Sequence, residues 1–257
     1  MLSINELETI VNAMPVITLA EMDHVKLMRR SDTKFVVSVS EIPDILNEMK
    51  ENYRVLEVKG IKTHRYNTTY YDTNEYEMYH NHHNQHLNRY KIRMRQYVAN
   101  NLFYFEVKFK NNKGETVKKR IKPIDYTHIN GQDCVEFLAK YSPYKPSDIK
   151  PSMMNRFSRV TLVHNTLPER ITLDYDLQFI PVNEKESKVM RGVAVIEVKR
   201  DLNAHYSEMI AILKEKRVKK MGFSKYCIGT AMVETQVKKN LFKERISKIM
   251  KLNIANN

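Results

Sequence analysis

Four short runs in this chain put charge on nearly every second residue: Lys91-Ile92-Arg93-Met94-Arg95, Phe105-Glu106-Val107-Lys108, Val117-Lys118-Lys119-Arg120-Ile121-Lys122 and Ile196-Glu197-Val198-Lys199. Side chains of a strand alternate between its two faces, so each run has one apolar face and one ionic face. A sheet with a solvated outer side could show this pattern with mixed polar residues. Here the polar side is almost entirely Lys, Arg and Glu, and Glu-Val-Lys recurs at Glu57, Glu106 and Glu197. If such strands curl with the charged face inward, the interior becomes a pocket for a polyanion, because desolvated cations require opposite charge. An outward ionic face laced with cross-strand salt bridges fits the same letters.

Around these runs lie about nine strand candidates: Thr33 to Ser38, Tyr53 to Lys59, Arg65 to Asp72, Arg89 to Tyr97, Phe103 to Lys110, Thr116 to Lys122, Arg156 to Val163, Arg170 to Asp176 and Val193 to Lys199. They are too many and too evenly spread for a helical fold. Asn111-Asn112-Lys113-Gly114 joins two charged strands tightly enough for a hairpin, which favours antiparallel pairing. Helices are expected at Ile4 to Val11, from a cap near Ser40 with Pro43 in the first turn, at Cys134 to Lys140, and at Ala204 to Arg217. Lys225 to Leu252 reads as one long or broken basic amphipathic helix, expected to pack on the sheet with its lysines solvated.

No linker or composition break divides the 257 residues, so a single domain is expected. Lys plus Arg total 43 against 30 for Asp plus Glu, a net charge of +13 that calls for an anionic partner. Cys134 and Cys227 lack metal spacing and are expected to be reduced. No stretch reaches the roughly 20 apolar residues that cross a bilayer, and residues 1 to 20 lack a signal-peptide order. The chain reads as soluble and cytoplasmic.

Parity gathers the candidate site. One face takes Lys91, Arg93 and Arg95, then Glu106, Lys108 and Lys110, then Lys118, Arg120 and Lys122. The later strands add Arg159, then Arg170, Thr172 and Asp174, then Glu197 and Lys199. Phosphoryl transfer needs little covalent help; it needs cations fixed around non-bridging oxygens and a metal bridging them. Arginines grip phosphate bidentately and lysines act as point charges. Glutamates suit magnesium or manganese. Two further features compete for attention. His80 to His86 holds four histidines, read as a solvated connecting loop rather than a transition-metal site; Tyr66, Tyr70 and Tyr71 read as wall packing rather than a nucleic-acid stacking platform.

From about Arg29 to Gly229 the chain resembles the vacuolar transporter chaperone (VTC) domain, the polyphosphate polymerase branch of the triphosphate tunnel metalloenzymes. The resemblance rests on Asp32-Thr33-Lys34-Phe35, Tyr71-Asp72-Thr73, Lys91 to Tyr97, Phe105 to Lys108, Lys118-Lys119-Arg120, Phe157-Ser158-Arg159, Arg170 to Asp174, Ile196 to Lys199 and Ser224-Lys225-Tyr226, in that order. It implies an α+β fold: an antiparallel eight-stranded β-barrel tunnel with flanking helices and a C-terminal helix over about 230–252. It also implies that Lys34, Arg93, Arg95, Lys108, Lys118, Arg159, Arg170, Lys199 and Lys225 contact the phosphates of ATP and of a polyphosphate chain.

Arg120 shares the parity of Lys118 roughly 7 Å along the strand, so the two could exchange places in holding the nucleotide with Arg93, Arg95 and Lys108. The resemblance implies that Glu197 holds a divalent Mn2+ or Mg2+ ion. Glu106 stands either with it at the metal or as an orienting group for neighbouring lysines. Phe157 replaces a tyrosine of the family pattern, so any contact of that hydroxyl is absent. The expected partners are nucleoside triphosphate, polyphosphate, and phosphate or pyrophosphate, with no nucleic acid; a membrane-associated partner is left open. Triphosphatases of the same superfamily carry Glu-x-Glu-x-Lys on the first strand, whereas here Arg30-Ser31-Asp32-Thr33-Lys34 offers only Asp32 as a carboxylate. That favours chain synthesis over hydrolysis. A non-catalytic module for polyphosphate or an inositol phosphate would use the same cations.

Overall fold

In a computed structural model of the protein, the described residues are 2–24, 30–182 and 186–254. The elements in chain order are α1 (Leu2–Ala13), β1 (Val16–Ile17), α2 (Leu19–His24), β2 (Arg30–Ser38), α3 (Ile42–Met49), β3 (Tyr53–Leu56) and β4 (Thr63–Asp72). They continue with α4 (Glu77–His83), β5 (Arg89–Tyr97), β6 (Leu102–Lys110), β7 (Thr116–Ile121), α5 (Gln132–Tyr141), β8 (Lys150–His164) and β9 (Glu169–Pro181). The last are β10 (Lys188–Met190), β11 (Val193–Asp201), α6 (Glu208–Glu215), α7 (Lys225–Val233) and α8 (Lys243–Ile254). Arg29, where the family resemblance begins, lies outside the described residues.

Eight strands form one antiparallel path in the order β2-β11-β9-β8-β4-β5-β6-β7. The sheet curls into a half-barrel, with β2 and β7 at its two ends unpaired with each other. The two-residue β1, β3 and β10 hang off this path. The register places Arg93 opposite Glu106, Lys91 opposite Lys108, Lys34 opposite Glu197 and Arg159 opposite Asp174. Cross-strand partners share a face, so the charges converge on one concave surface. A bulge between Arg156 and Ser158 on β8, with Asp176 at φ 51° on β9, shifts the phase of the inner face at that point.

The convex face is covered in two patches. α1, α3 and α6 lay Leu7, Ile45, Leu46 and Leu213 over Phe35, Ile196, Leu173 and Leu162. α5 lays Cys134, Phe137 and Leu138 over Ile92, Phe105 and Val107. The concave face is not ionic throughout. At one end Val36, Val195, Leu177 and Phe179 point inward, and α7 and α8 fill that end with Tyr226, Ile228, Ala231, Phe242 and Ile249. Gly229 is required here, because a Cβ at that position would lie 2.5 Å from Phe179 Cδ1 and 2.7 Å from Met153 Cε.

Several expectations are adjusted. The C-terminal stretch takes the broken of the two expected forms: α7 ends at Val233, and α8 begins at Lys243 rather than near residue 230. The start of α3 is organised by Ser38, whose hydroxyl accepts from Ser40 N–H while Glu41 accepts from Ser38 N–H, a capping box one turn ahead of the helix. The histidine run is a loop only from Asn84 to His86. His80, His82 and His83 form the last turn of α4, which starts where the Asp72 carboxylate accepts the N–H groups of Met78 and Tyr79. No helix among the described residues is long and apolar enough to cross a membrane.

Candidate functional site: a concave basic surface

Asp72 shows how the sequence positions the site. Its buried carboxylate accepts N–H bonds from Thr73 (2.8 Å), Met78 (2.9 Å) and Tyr79 (2.9 Å), and the Tyr226 hydroxyl donates to it as well. One side chain thereby ties the end of β4 to α4 and to the first turn of α7. Tyr70 stacks on Tyr226 with centroids 4.9 Å apart. Tyr66 stacks on Phe157 at 5.1 Å, and Tyr71 meets Phe105 edge-on. The three tyrosines are wall packing, as expected.

With α7 so fixed, Lys225 at its first position reaches Asp174 inside the half-barrel. Asp174 also takes a bidentate grip from Arg159, Nε to Oδ1 at 2.5 Å and Nη2 to Oδ2 at 2.7 Å. The same arrangement occurs twice more. Glu106, 1% exposed, is held by Arg93 at 2.6 Å and by Lys118 at 2.5 Å. Glu197 is bonded to Lys199 and lies 3.6 Å from Lys34, whose ammonium group also donates to the Phe223 carbonyl at 2.9 Å. Each of these three carboxylates sits between two cations, on strands β6, β9 and β11.

The electrostatics follow from burial and crowding. Burial pushes the Glu106 carboxyl up, but Arg93, Arg95 and Lys118 outweigh it and hold it at about 2. Asp174 and Glu197 lie well below the usual carboxylate range, burial again being overcome by Arg159 and Lys225 in one case and by Lys34 and Lys199 in the other. For the lysines burial wins: Lys118, Lys199 and Lys225 are brought down to about 8 in spite of Glu106, Glu197 and Asp174, and Lys91, with Lys108 and Lys34 near it, is brought to about 8 as well. Burial, joined by Lys34 and Arg93, lowers Lys108, and burial followed by Arg93 lowers Arg95.

All nine cations named from the resemblance are on the concave face. Six of them are already engaged by the three carboxylates, whereas Arg95, Lys108 and Arg170 form no ion pair among the described residues. Arg95 is 7% exposed and its Nε–H has no acceptor among the described residues; its guanidinium lies 5.5 Å from the Tyr66 ring. Between Lys118 and Arg120 it is Lys118 that reaches Glu106, while the exposed Arg120 stacks over Tyr104 at 4.5 Å.

A cavity of about 640 Å³ opens where β2 approaches the start of β5 and the end of β6. Lys34, Lys108 and Glu197 line it, together with residues that sequence reasoning left out of the site: Arg89, Lys220 and Arg245. Lys91 lines it too, donating to Ser224 Oγ at 3.1 Å. His82 is part of the same wall, its imidazole kept neutral by burial and by Lys91 and Arg89, which hold it at about 2. Parity already put Arg89 and Lys91 in phase with Arg93, but Lys220 and Arg245 come from a loop and from α8, which carry no such signal.

Asp32 and Glu197 line that cavity together. One or two carboxylates, completed by substrate oxygens and water, are an ordinary donor set for Mg2+ or Mn2+. The residues present therefore fit a divalent ion. Among the described residues no group of three or more His, Cys, Asp or Glu could hold a metal ion.

Among solved structures, a candidate adenylate cyclase from Bacillus halodurans is similar at a TM-score of 0.49 and 13% identity, over 77% of this chain and 96% of that one. A candidate adenylyl cyclase from Hippeastrum, described with a dominant triphosphatase activity, is similar at a TM-score of 0.48 and 15% identity, over 81% and 98%. A candidate adenylate cyclase from Vibrio parahaemolyticus gives 0.47 and 11%, over 77% and 96%. No curated protein matches the chain. The sequence model of the VTC domain matches residues 29–234, a span that contains every strand of the half-barrel, and the chain belongs to the VTC domain family.

Proposed function

We propose that the protein is a metal-dependent polyphosphate polymerase that moves the terminal phosphoryl group of ATP onto a growing polyphosphate chain. The observation that carries this reading is that three carboxylates of the concave face each sit between two cations. Glu106, Asp174 and Glu197 neutralise only part of the positive charge, and Arg95, Lys108 and Arg170 are left for an anion. A surface so arranged stabilises charge on phosphoryl oxygens without reorganising at the moment of transfer.

The residues divide by position. Arg93 and Arg159 are fixed by their carboxylates in the planar geometry that suits bidentate contact with phosphate oxygens. Lys118 and Lys225 supply point charges beside them. Glu106 and Asp174 act as orienting anions for these pairs. Glu197, with Asp32 beside it in the cavity wall, would hold the divalent ion, which supplies charge neutralisation across the phosphates. No side chain need be phosphorylated.

Transfer to phosphate rather than to water is favoured because Glu106, Asp174 and Glu197 are all engaged by cations, and the first strand adds only Asp32, itself 3.2 Å from Arg30. A hydrolase needs a carboxylate that can orient water. The test is product analysis after incubation of the purified protein with ATP and manganese, by phosphorus NMR. Mid-chain phosphate resonances are expected; ADP with orthophosphate alone would assign the protein as a triphosphatase, and tight binding of tripolyphosphate without turnover would make it a binding module.

A further inference from the structure

The half-barrel has two end strands, and they differ. The outer edge of β2 is partly covered: Met221 N–H donates to the Lys34 carbonyl at 2.8 Å, and Phe35 bridges to Lys220. β7 pairs with β6 on one side only, and no backbone bond reaches its other edge among the described residues. Beside that edge, on the convex face, lies a groove of about 430 Å³ walled by Tyr90, Val107, Phe109, Val117, Tyr141 and Pro143, with Lys119 and Lys140 at its border. Val117 is 43% exposed. Unpaired edge groups next to an apolar groove are the two halves of a strand-addition site: main-chain bonds supply affinity, and alternate side chains read the pocket.

We propose that the free edge of β7 docks an extended segment of a partner protein whose side chains alternate acidic and apolar. The alternation follows from parity. Lys118 and Arg120 face the concave side, so the residues added beside them have carboxylates. Val117 and Ile121 face the convex side, so the residues added beside them are apolar and cover the groove. Lys119 shares the convex face with Val117 and Ile121, and it and Lys140 lie 5.7 and 5.6 Å from the Tyr141 ring, so the apolar residue added between Val117 and Ile121 packs on the lysine stems. A second copy of this chain is the wrong occupant, because pairing β7 with itself sets Lys118, Lys119 and Arg120 against like charges. Lys118 belongs both to this edge and to the phosphate surface of the proposed function, so tripolyphosphate affinity is measured without the peptide present.

The experiment uses the full chain and a fluorescein-labelled peptide, Val-Glu-Val-Asp-Leu-Glu-Val, against a peptide of identical composition with its acidic residues grouped. Fluorescence anisotropy should show the alternating peptide binding at least tenfold more tightly. Val117→Asp, a surface change away from the concave face, should weaken that binding about tenfold while leaving tripolyphosphate affinity unchanged. Equal binding of the two peptides, or indifference to Val117→Asp, would overturn the proposal. So would a dimer in light scattering that Val117→Asp dissociates, since it would make a second copy the occupant.

Discussion

Asp174 on β9 joins two elements far apart in sequence: it grips Arg159 of β8 bidentately and pairs with Lys225 at the start of α7. A change at this carboxylate therefore tests charge balance and helix placement together. Asp174→Asn should leave Arg159 and Lys225 as buried cations without compensation and destabilise the fold by about 3–5 kcal/mol. Thermal denaturation checks it, and tripolyphosphate should raise the melting temperature of the variant more than that of the wild type. An equal rise would mean that the ligand does not meet these cations.

Glu197→Gln keeps the side-chain volume but removes the charge held between Lys34 and Lys199. Metal-dependent turnover should fall by roughly 10²–10³-fold, the usual cost of one charge-stabilising group. Steady-state kinetics with ATP and manganese measure it, and circular dichroism should show the fold unchanged. Full activity would remove Glu197 from the metal site.

The lowered lysines give a pH dependence of definite sign. Lys91, Lys118, Lys199 and Lys225 hold protons more weakly when folded, at about 8, than an unfolded lysine at about 10.4. Between those values the unfolded state binds more protons, so these groups make stability rise with pH from about 8 toward 10, and their burial costs stability in full below 8. A polyanion favours their charged forms. Calorimetry in buffers of different ionisation enthalpy should show proton uptake when tripolyphosphate binds near pH 8.5, and affinity should fall as pH rises through 8. Binding without proton uptake would contradict this.

Gly229→Ala places a methyl group against Phe179 and Met153, inside the end of the half-barrel that α7 fills. Overpacking of this kind costs about 1–3 kcal/mol. Because α7 must shift, Lys225 should lose its position at Asp174, and turnover should fall more than stability alone explains. Parallel measurement of melting temperature and kcat separates the two effects.

The sheet was largely legible because its signal is local. The boundaries of β5, Arg89 to Tyr97, and the parity of Glu106, Lys118 and Arg159 follow from alternation alone, and the register puts them on one face. The copy of Glu-Val-Lys at Glu57 follows the end of β3 and lies off the path of eight strands. Non-local facts were harder to read. That Asp174 would be shared by Arg159 and Lys225 depends on where α7 docks, and that docking depends on Gly229 and on Tyr226 reaching Asp72. The histidine run was misread because the carboxylate that starts its helix, Asp72, precedes it by several residues and belongs to a strand. The bare edge of β7 cannot be read from alternation, which reports faces and says nothing of which strand lacks a neighbour.

The most direct measurement is a crystal structure of the protein soaked with a non-hydrolysable ATP analogue and manganese. The triphosphate is expected on the concave face, its oxygens on Arg93, Arg95, Arg159 and Lys225, with manganese bound by Glu197 after that carboxylate has left Lys199. Phosphates held only on the outer surface, or a metal bound away from Glu197, would contradict it.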